Sequence, residues 1–122
     1  MATDGSKMAA FIFDLDGTLI DSDFAHVLAW QKALEEAHLP VDAWRIHRRI
    51  GMRDGLFLYA LSDEVRSQVS PAKAKIIEHQ NREQFAQFAV SCRPLRGATA
   101  LFTSLGKSPI PMAGFNGHDV SF

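Results

Sequence analysis

One cysteine, Cys92, stands alone in the 122 residues, so no internal disulfide can form. A single cysteine of this kind reads as a small buried hydrophobe before it reads as a reactive thiol. Long apolar runs are also missing. The start, Met1 to Met8, is polar and small, with neither a signal-peptide core nor a membrane span, and a cytoplasmic protein is expected. Charge of one sign is lacking too. The 13 Lys and Arg nearly balance the 14 Asp and Glu, for a formal charge of −1. No overall field would gather nucleic acid or an anionic membrane, and neither is expected as a partner. The chain shows no internal repeat, no low-complexity tract and no metal-binding Cys/His spacing. What remains is a globular composition, 47% hydrophobic, long enough for one domain or a small domain with an insert.

The stretch that organises the rest is Ala10-Phe11-Ile12-Phe13-Asp14-Leu15-Asp16-Gly17-Thr18-Leu19. Its apolar beginning predicts a strand covered on both faces in an α/β sheet. Asp14, Asp16 and Gly17 then break the run. Two carboxylates two residues apart share a face if the strand continues, or turn inward together in a tight loop. A carboxylate at a strand end can attack phosphorus and form an acyl-phosphate. A second one can protonate the leaving group and then activate water. Facing a phosphate, the two require a hard cation such as Mg²⁺ between them. Asp and Gly are equally common turn residues, so spacing alone leaves a plain turn cluster standing beside the catalytic reading.

Further along, Asp21 or Ser22 is placed to cap a helix running to about Ala37, with an apolar stripe of Phe24, Val27, Leu28, Ala33 and Leu34 and with Trp30 close by. His26 on this helix could contact a ligand, but reads first as a surface or internally satisfied histidine. Leu39-Pro40 ends the helix, and Asp42 caps the next, expected to reach about Ile50. Arg45, His47, Arg48 and Arg49 form a basic cluster there. Helical geometry puts Arg45 and Arg49 on one face and Arg48 elsewhere. The cluster suits a phosphate or carboxylate, or is ordinary basic surface. Leu56 to Leu61 predicts a short helix. Ser70-Pro71 opens a long one, to about Val90, that carries Lys73 and Lys75 near its start.

Phe13-Asp14-Leu15-Asp16-Gly17-Thr18-Leu19 resembles the first motif, DxDGT(L/V), of the haloacid dehalogenase-like phosphatases. The resemblance implies Asp14 as nucleophile, Asp16 as general acid/base, and Mg²⁺ held by the Asp14 carboxylate and the Asp16 backbone carbonyl. Thr18 would support the loop and the bound substrate. The helical stretch resembles the cap of the phosphoglycolate phosphatase and β-phosphoglucomutase-like branch, which implies a small phosphorylated metabolite as substrate. Arg49, Gly51 and Met52 resemble the cap segment that faces the catalytic loop, with Arg49 a substrate-binding candidate. Cys92-Arg93-Pro94-Leu95-Arg96-Gly97-Ala98 resembles the return to the core. The division expected is therefore 8–19 for the first core strand and catalytic loop, 20–91 for the helical cap, and 92–122 for a partial return to the core. The fold class is α/β, an incomplete Rossmann-like core with a mostly helical cap insertion.

The family's next element is a core strand ending in Ser or Thr. Here Ser108 to Gly117 carries two prolines and a glycine, which suit a central strand poorly. Asn116 stands near the expected phosphate-binding position. The third-motif Lys and the fourth-motif acids that the resemblance calls for would lie beyond Phe122. The chain thus reads as a truncated or frame-shifted phosphatase, weak or inactive alone. The alternative is a non-catalytic, self-associating module that forms a homo-oligomer through exposed sheet edges.

Overall fold

A computed structural model describes residues 8–52, 54–116 and 119–121. The elements are β1 (Phe11–Asp14), β2 (Ile20–Asp21), α1 (Asp23–Glu36), α2 (Ala43–His47), α3 (Asp54–Glu64), α4 (Pro71–Ala89), β3 (Arg93–Pro94), α5 (Ala98–Leu105), β4 (Met112–Asn116) and β5 (Asp119–Ser121). The fold is mixed α/β: an incomplete Rossmann-like sheet with a helical insertion between β2 and β3. One sheet has the order β1-β4-β5, with β1 and β4 parallel and β4 and β5 antiparallel. A two-residue ladder pairs β2 with β3 where the chain enters and leaves the insertion.

The hydrophobic core lies in the insertion. Trp30 of α1 stacks on Phe57 of α3 at 4.3 Å between ring centres. Leu34, Ile46, Leu61 and Ile77 close around them, almost wholly buried. Each such side chain contributes about 1.5–3 kcal/mol by leaving water. Ser70 caps α4 as its sequence predicts, its hydroxyl accepting the Lys73 N–H at 3.2 Å, with Pro71 in the first turn.

Several expectations are corrected. β1 is not covered on both faces: Ile12 is 71% exposed, because none of the described elements packs over its side of the sheet. The stripe of α1 is rotated, burying Val27, Ala29, Trp30, Ala33 and Leu34 while Phe24 is 72% exposed. Ser22 sits at the N-cap of α1 but makes no capping hydrogen bond; its hydroxyl is used elsewhere, as shown below. α2 stops at His47 rather than near Ile50, and the Asp42 side chain does not cap it. α3 runs to both sides of the expected Leu56–Leu61 segment. Cys92 is only half-buried.

The prolines near the end do not prevent a strand. Both precede β4, and the Pro111 carbonyl accepts the Phe11 N–H at 2.9 Å. A proline just ahead of a strand removes no ladder donor. Gly114 within β4 has a steric reason: a Cβ there would lie 3.0 Å from a Leu15 methyl. The glycine therefore lets the loop after β1 settle onto the neighbouring strand.

Candidate functional site

Asp14 is the last residue of β1, at the C-terminal end of the parallel pair. The loop that follows is wound on one atom. The Leu15 carbonyl accepts the N–H groups of Thr18, Leu19 and Ile20 at 3.2, 2.9 and 3.0 Å. Gly17 completes the turn at φ +68°, a conformation that disfavours side chains with a Cβ. A Cβ there would also meet the Asp23 carboxylate at 2.6 Å. The loop is thus fixed by its own backbone, and it turns Asp14 and Asp16 toward one cleft.

Asp14 is exposed. Its Oδ1 accepts the Leu15 N–H at 3.0 Å, and the Thr18 hydroxyl donates to its Oδ2 at 3.4 Å. Asp16 is held more firmly. The buried Ser22 hydroxyl donates to Asp16 Oδ1 at 2.6 Å. His26 Nε2 lies 3.1 Å from the same oxygen, though out of line for a hydrogen bond. The His26 ring stacks on Phe85 of α4 at 4.0 Å and 9°. His26 is therefore neither free surface nor internally satisfied; it faces the candidate acid. The signal in the sequence was its spacing of four from Ser22, which sets both on the face of α1 turned to the loop.

The cleft has a volume of about 510 Å³. Asp14, Asp16 and Asp23 line it, and His47 at the end of α2 borders it together with Gly51 and Met52 from the turn that follows. Asp23 went unremarked in the sequence because a first-turn aspartate is ordinary helix chemistry. Among the described residues lining the cleft there is no lysine or arginine. Thr18 stands beside Asp14. The register sets Phe115 next to Asp14 and Asn116 one residue further along β4, at the same end of the sheet. The Asn116 side chain lies outside the described residues. Gly51 and Met52 border the cleft as the resemblance implies; Arg49 does not.

Arg49 instead joins an ion cluster. Arg45, Arg48 and Arg49 all reach the Glu64 carboxylate of α3, Arg48 at 3.4 Å. The expected divergence of Arg48 is overturned because α2 ends at His47, and the turn that follows swings residues 48 and 49 round to α3. Desolvation pushes the Glu64 carboxyl up. The hydrogen bond from Arg45 and the charges of Arg48, Arg49 and Arg45 outweigh it and hold the group below its ordinary value. Lys73 and Lys75 do not border the cleft. Among the described residues no group of three or more His, Cys, Asp or Glu side chains converges as metal ligands. No helix among them is long and apolar enough to cross a membrane.

An Asp-x-Asp loop at the end of a parallel strand, beside a helical insertion, is consistent with a phosphotransfer mechanism. Residues 8–113 match the family model described as haloacid dehalogenase-like hydrolase, and the chain belongs to that family. A hydrolase from Pseudomonas syringae superimposes with a TM-score of 0.84 at 34% identity over 92% of this chain and 51% of its own. A predicted phosphoglycolate phosphatase from Haemophilus somnus gives 0.72 at 18% identity, over 89% of this chain and 51% of its own. A family IA, variant 3 hydrolase from Entamoeba histolytica gives 0.69 at 20%, over 89% and 49%. The last two establish likeness of fold. No curated protein matches the chain. The chain spans about half the length of these solved relatives.

Proposed function

We propose that the chain is a magnesium-dependent phosphatase of small phosphorylated metabolites, acting in the cytoplasm through an aspartyl-phosphate and slow over these 122 residues. The observation that carries this is the presentation of Asp14 and Asp16 to one cleft by a self-fixed loop. In this reading residues 8–19 supply the nucleophile, 20–91 cover it, and 92–122 return to the sheet. Asp14 attacks phosphorus, and its carboxylate becomes the acyl-phosphate as the P–O bond to the leaving group breaks. Asp16 gives that oxygen a proton, then takes one from the water that releases phosphate. Ser22 and His26 keep Asp16 pointed at the cleft. Thr18 steadies Asp14.

Mg²⁺ commonly binds through one or two carboxylates, keeps several waters and takes substrate oxygens as further ligands. Asp14, with one oxygen on a backbone N–H and the other in a long contact, suits that sparse mode, together with the Asp16 carbonyl. When bound, the ion would offset the repulsion between carboxylate and phosphate. Asn116 is the candidate donor to the phosphoryl group from β4, and Arg49 a substrate contact available on release from Glu64. The slow rate of this reading is supported by the described lining of the cleft. Phosphoryl transfer depends on stabilising charge on the outer oxygens, and the described lining residues include no lysine or arginine to do so.

The test is Mg²⁺-dependent phosphate release from a panel of small monoesters, wild type beside Asp14→Asn. Slow release lost in the variant is expected. Release that survives the substitution would sink the aspartyl-phosphate reading. A second reading, a self-associating module without catalysis, is favoured by the exposed Ile12 face and by the edge of β1 that has no strand partner among the described residues.

A further inference from the structure

A second chamber of about 840 Å³ lies behind Asp16, between the catalytic loop and α4. It shares Asp16 and His26 with the cleft. Its walls are mostly apolar: Leu15 and Ile20 from the loop, and Phe85, Ala86 and Ala89 from α4. Asn81 also borders it, on the same face of α4 as Phe85 and Ala89 at helical spacings of four. Asn81 is only 7% exposed, yet its side-chain carbonyl oxygen has no hydrogen-bond partner among the described residues. His26 Nε2, bordering both spaces, is likewise buried without an aligned partner among the described residues. Buried carboxamides in folded proteins are nearly always paired, since an unpaired one keeps its full desolvation cost. An apolar chamber with one unmet amide describes a binding site for a compact ligand.

We propose that this chamber takes the alcohol part of the substrate, and that Asn81 selects it. The ligand portion is a compact, mostly apolar group with one hydroxyl or amine that donates to the Asn81 carbonyl. The aromatic and methyl walls supply contact for a ring or a short branched chain. The Ser22 hydroxyl already donates to Asp16, so it can offer a ligand an acceptor and no donor. Apart from Asp16, the bordering charge is Arg82, which is exposed. The proposal rests on the phosphatase reading only for the link between chamber and reaction; the binding itself does not require turnover.

The experiment uses the whole chain carrying Asp14→Asn, so that no probe is consumed. Phenol and toluene, alike in shape but for the hydroxyl, are titrated while the Ala86 and Ala89 methyl resonances are followed. Saturable shifts are expected, with phenol bound roughly fivefold more tightly than toluene, the scale of one neutral hydrogen bond. Asn81→Leu should reverse the preference, and phenyl phosphate should displace phenol. Asn81→Leu should also raise the melting temperature of the ligand-free protein, because it removes an unmet polar group; an amide with a merely structural role would lower it. No saturable shift, an unchanged preference in Asn81→Leu, or phenol and phenyl phosphate bound together would each overturn the proposal. Absence of phosphate release by the wild-type chain, with phenol binding intact, would instead count against the phosphatase reading alone.

Discussion

The helical insertion and the sheet are held together by different means. Apart from Leu19 and Ala98, the buried apolar side chains among the described residues lie in α1–α4 and their connections. The sheet, by contrast, leaves Ile12, Met112 and Phe115 substantially exposed. One region is stabilised by burial and the other chiefly by its backbone ladder. The candidate site sits on the seam and borrows from both. Its loop is shaped by main-chain hydrogen bonds to Leu15, while the groups that restrain Asp16 come from the first helix of the insertion. Precision at Asp14 and Asp16 therefore does not require a dry core beneath them.

The contrast can be attacked from its strong side first. Phe57→Ala removes the ring that stacks on Trp30 and should cost about 3–5 kcal/mol. Denaturant unfolding followed by circular dichroism reads this directly; a loss below about 1 kcal/mol would mean that the insertion is not the stable part. Gly114→Ala comes next. The new methyl would press on the Leu15 side chain, which must give by a few tenths of an ångström, and should disturb the amide resonances of residues 15–20 more than those of α3. Unchanged loop resonances would separate the loop from β4.

The ion cluster gives a smaller, pH-dependent effect. Glu64 has a depressed pKa when folded, so its stabilising contribution is complete above the ordinary value of 4.5 and fades as pH falls through the lower folded value. Glu64→Gln should therefore lower the melting temperature at pH 7 and converge on wild type in acid. Parallel curves at all pH values would show that the carboxylate charge is idle. Smallest of all, Ile12→Ser should change monomer stability by less than about 0.5 kcal/mol, since the side chain is already in water. Sedimentation would show whether it weakens self-association. A large stability loss would reveal that the face is covered in solution.

Much of this was legible in the sequence for identifiable reasons. Asp14 at a strand end followed from an apolar run cut by acids, and α4 from Ser70-Pro71, because both are local signals. The rotation of α1 was not legible. Phe24 and Trp30 are both apolar, and only packing against α3 and α4 decides which is buried. The convergence of three arginines on Glu64 was hidden because the carboxylate lies 15 to 19 residues away and depends on where α2 ends. β4 was hidden because Pro109 and Pro111 argue against a strand until one knows that both fall outside it. His26 was visible as a residue but not as a neighbour of Asp16, since that needs the loop's path in space.

The pairing of β2 with β3 has a mechanical side. Ile20 faces Pro94 and Asp21 faces Arg93, and the Leu95 N–H adds a bond to the Leu19 carbonyl at 2.8 Å. Pro94 offers no N–H, so the lacing is short. The inbound and outbound chains thus cross to the insertion side by side, stitched to each other. A body attached at two distant points is a bridge and resists rotation; one attached through a single narrow seam is a lever with one fulcrum. The fulcrum here begins one residue after Leu19, in the same turn that aims Asp16. A swing of the four helices about that seam would therefore act close to the Asp16 carboxylate, which Ser22 already touches.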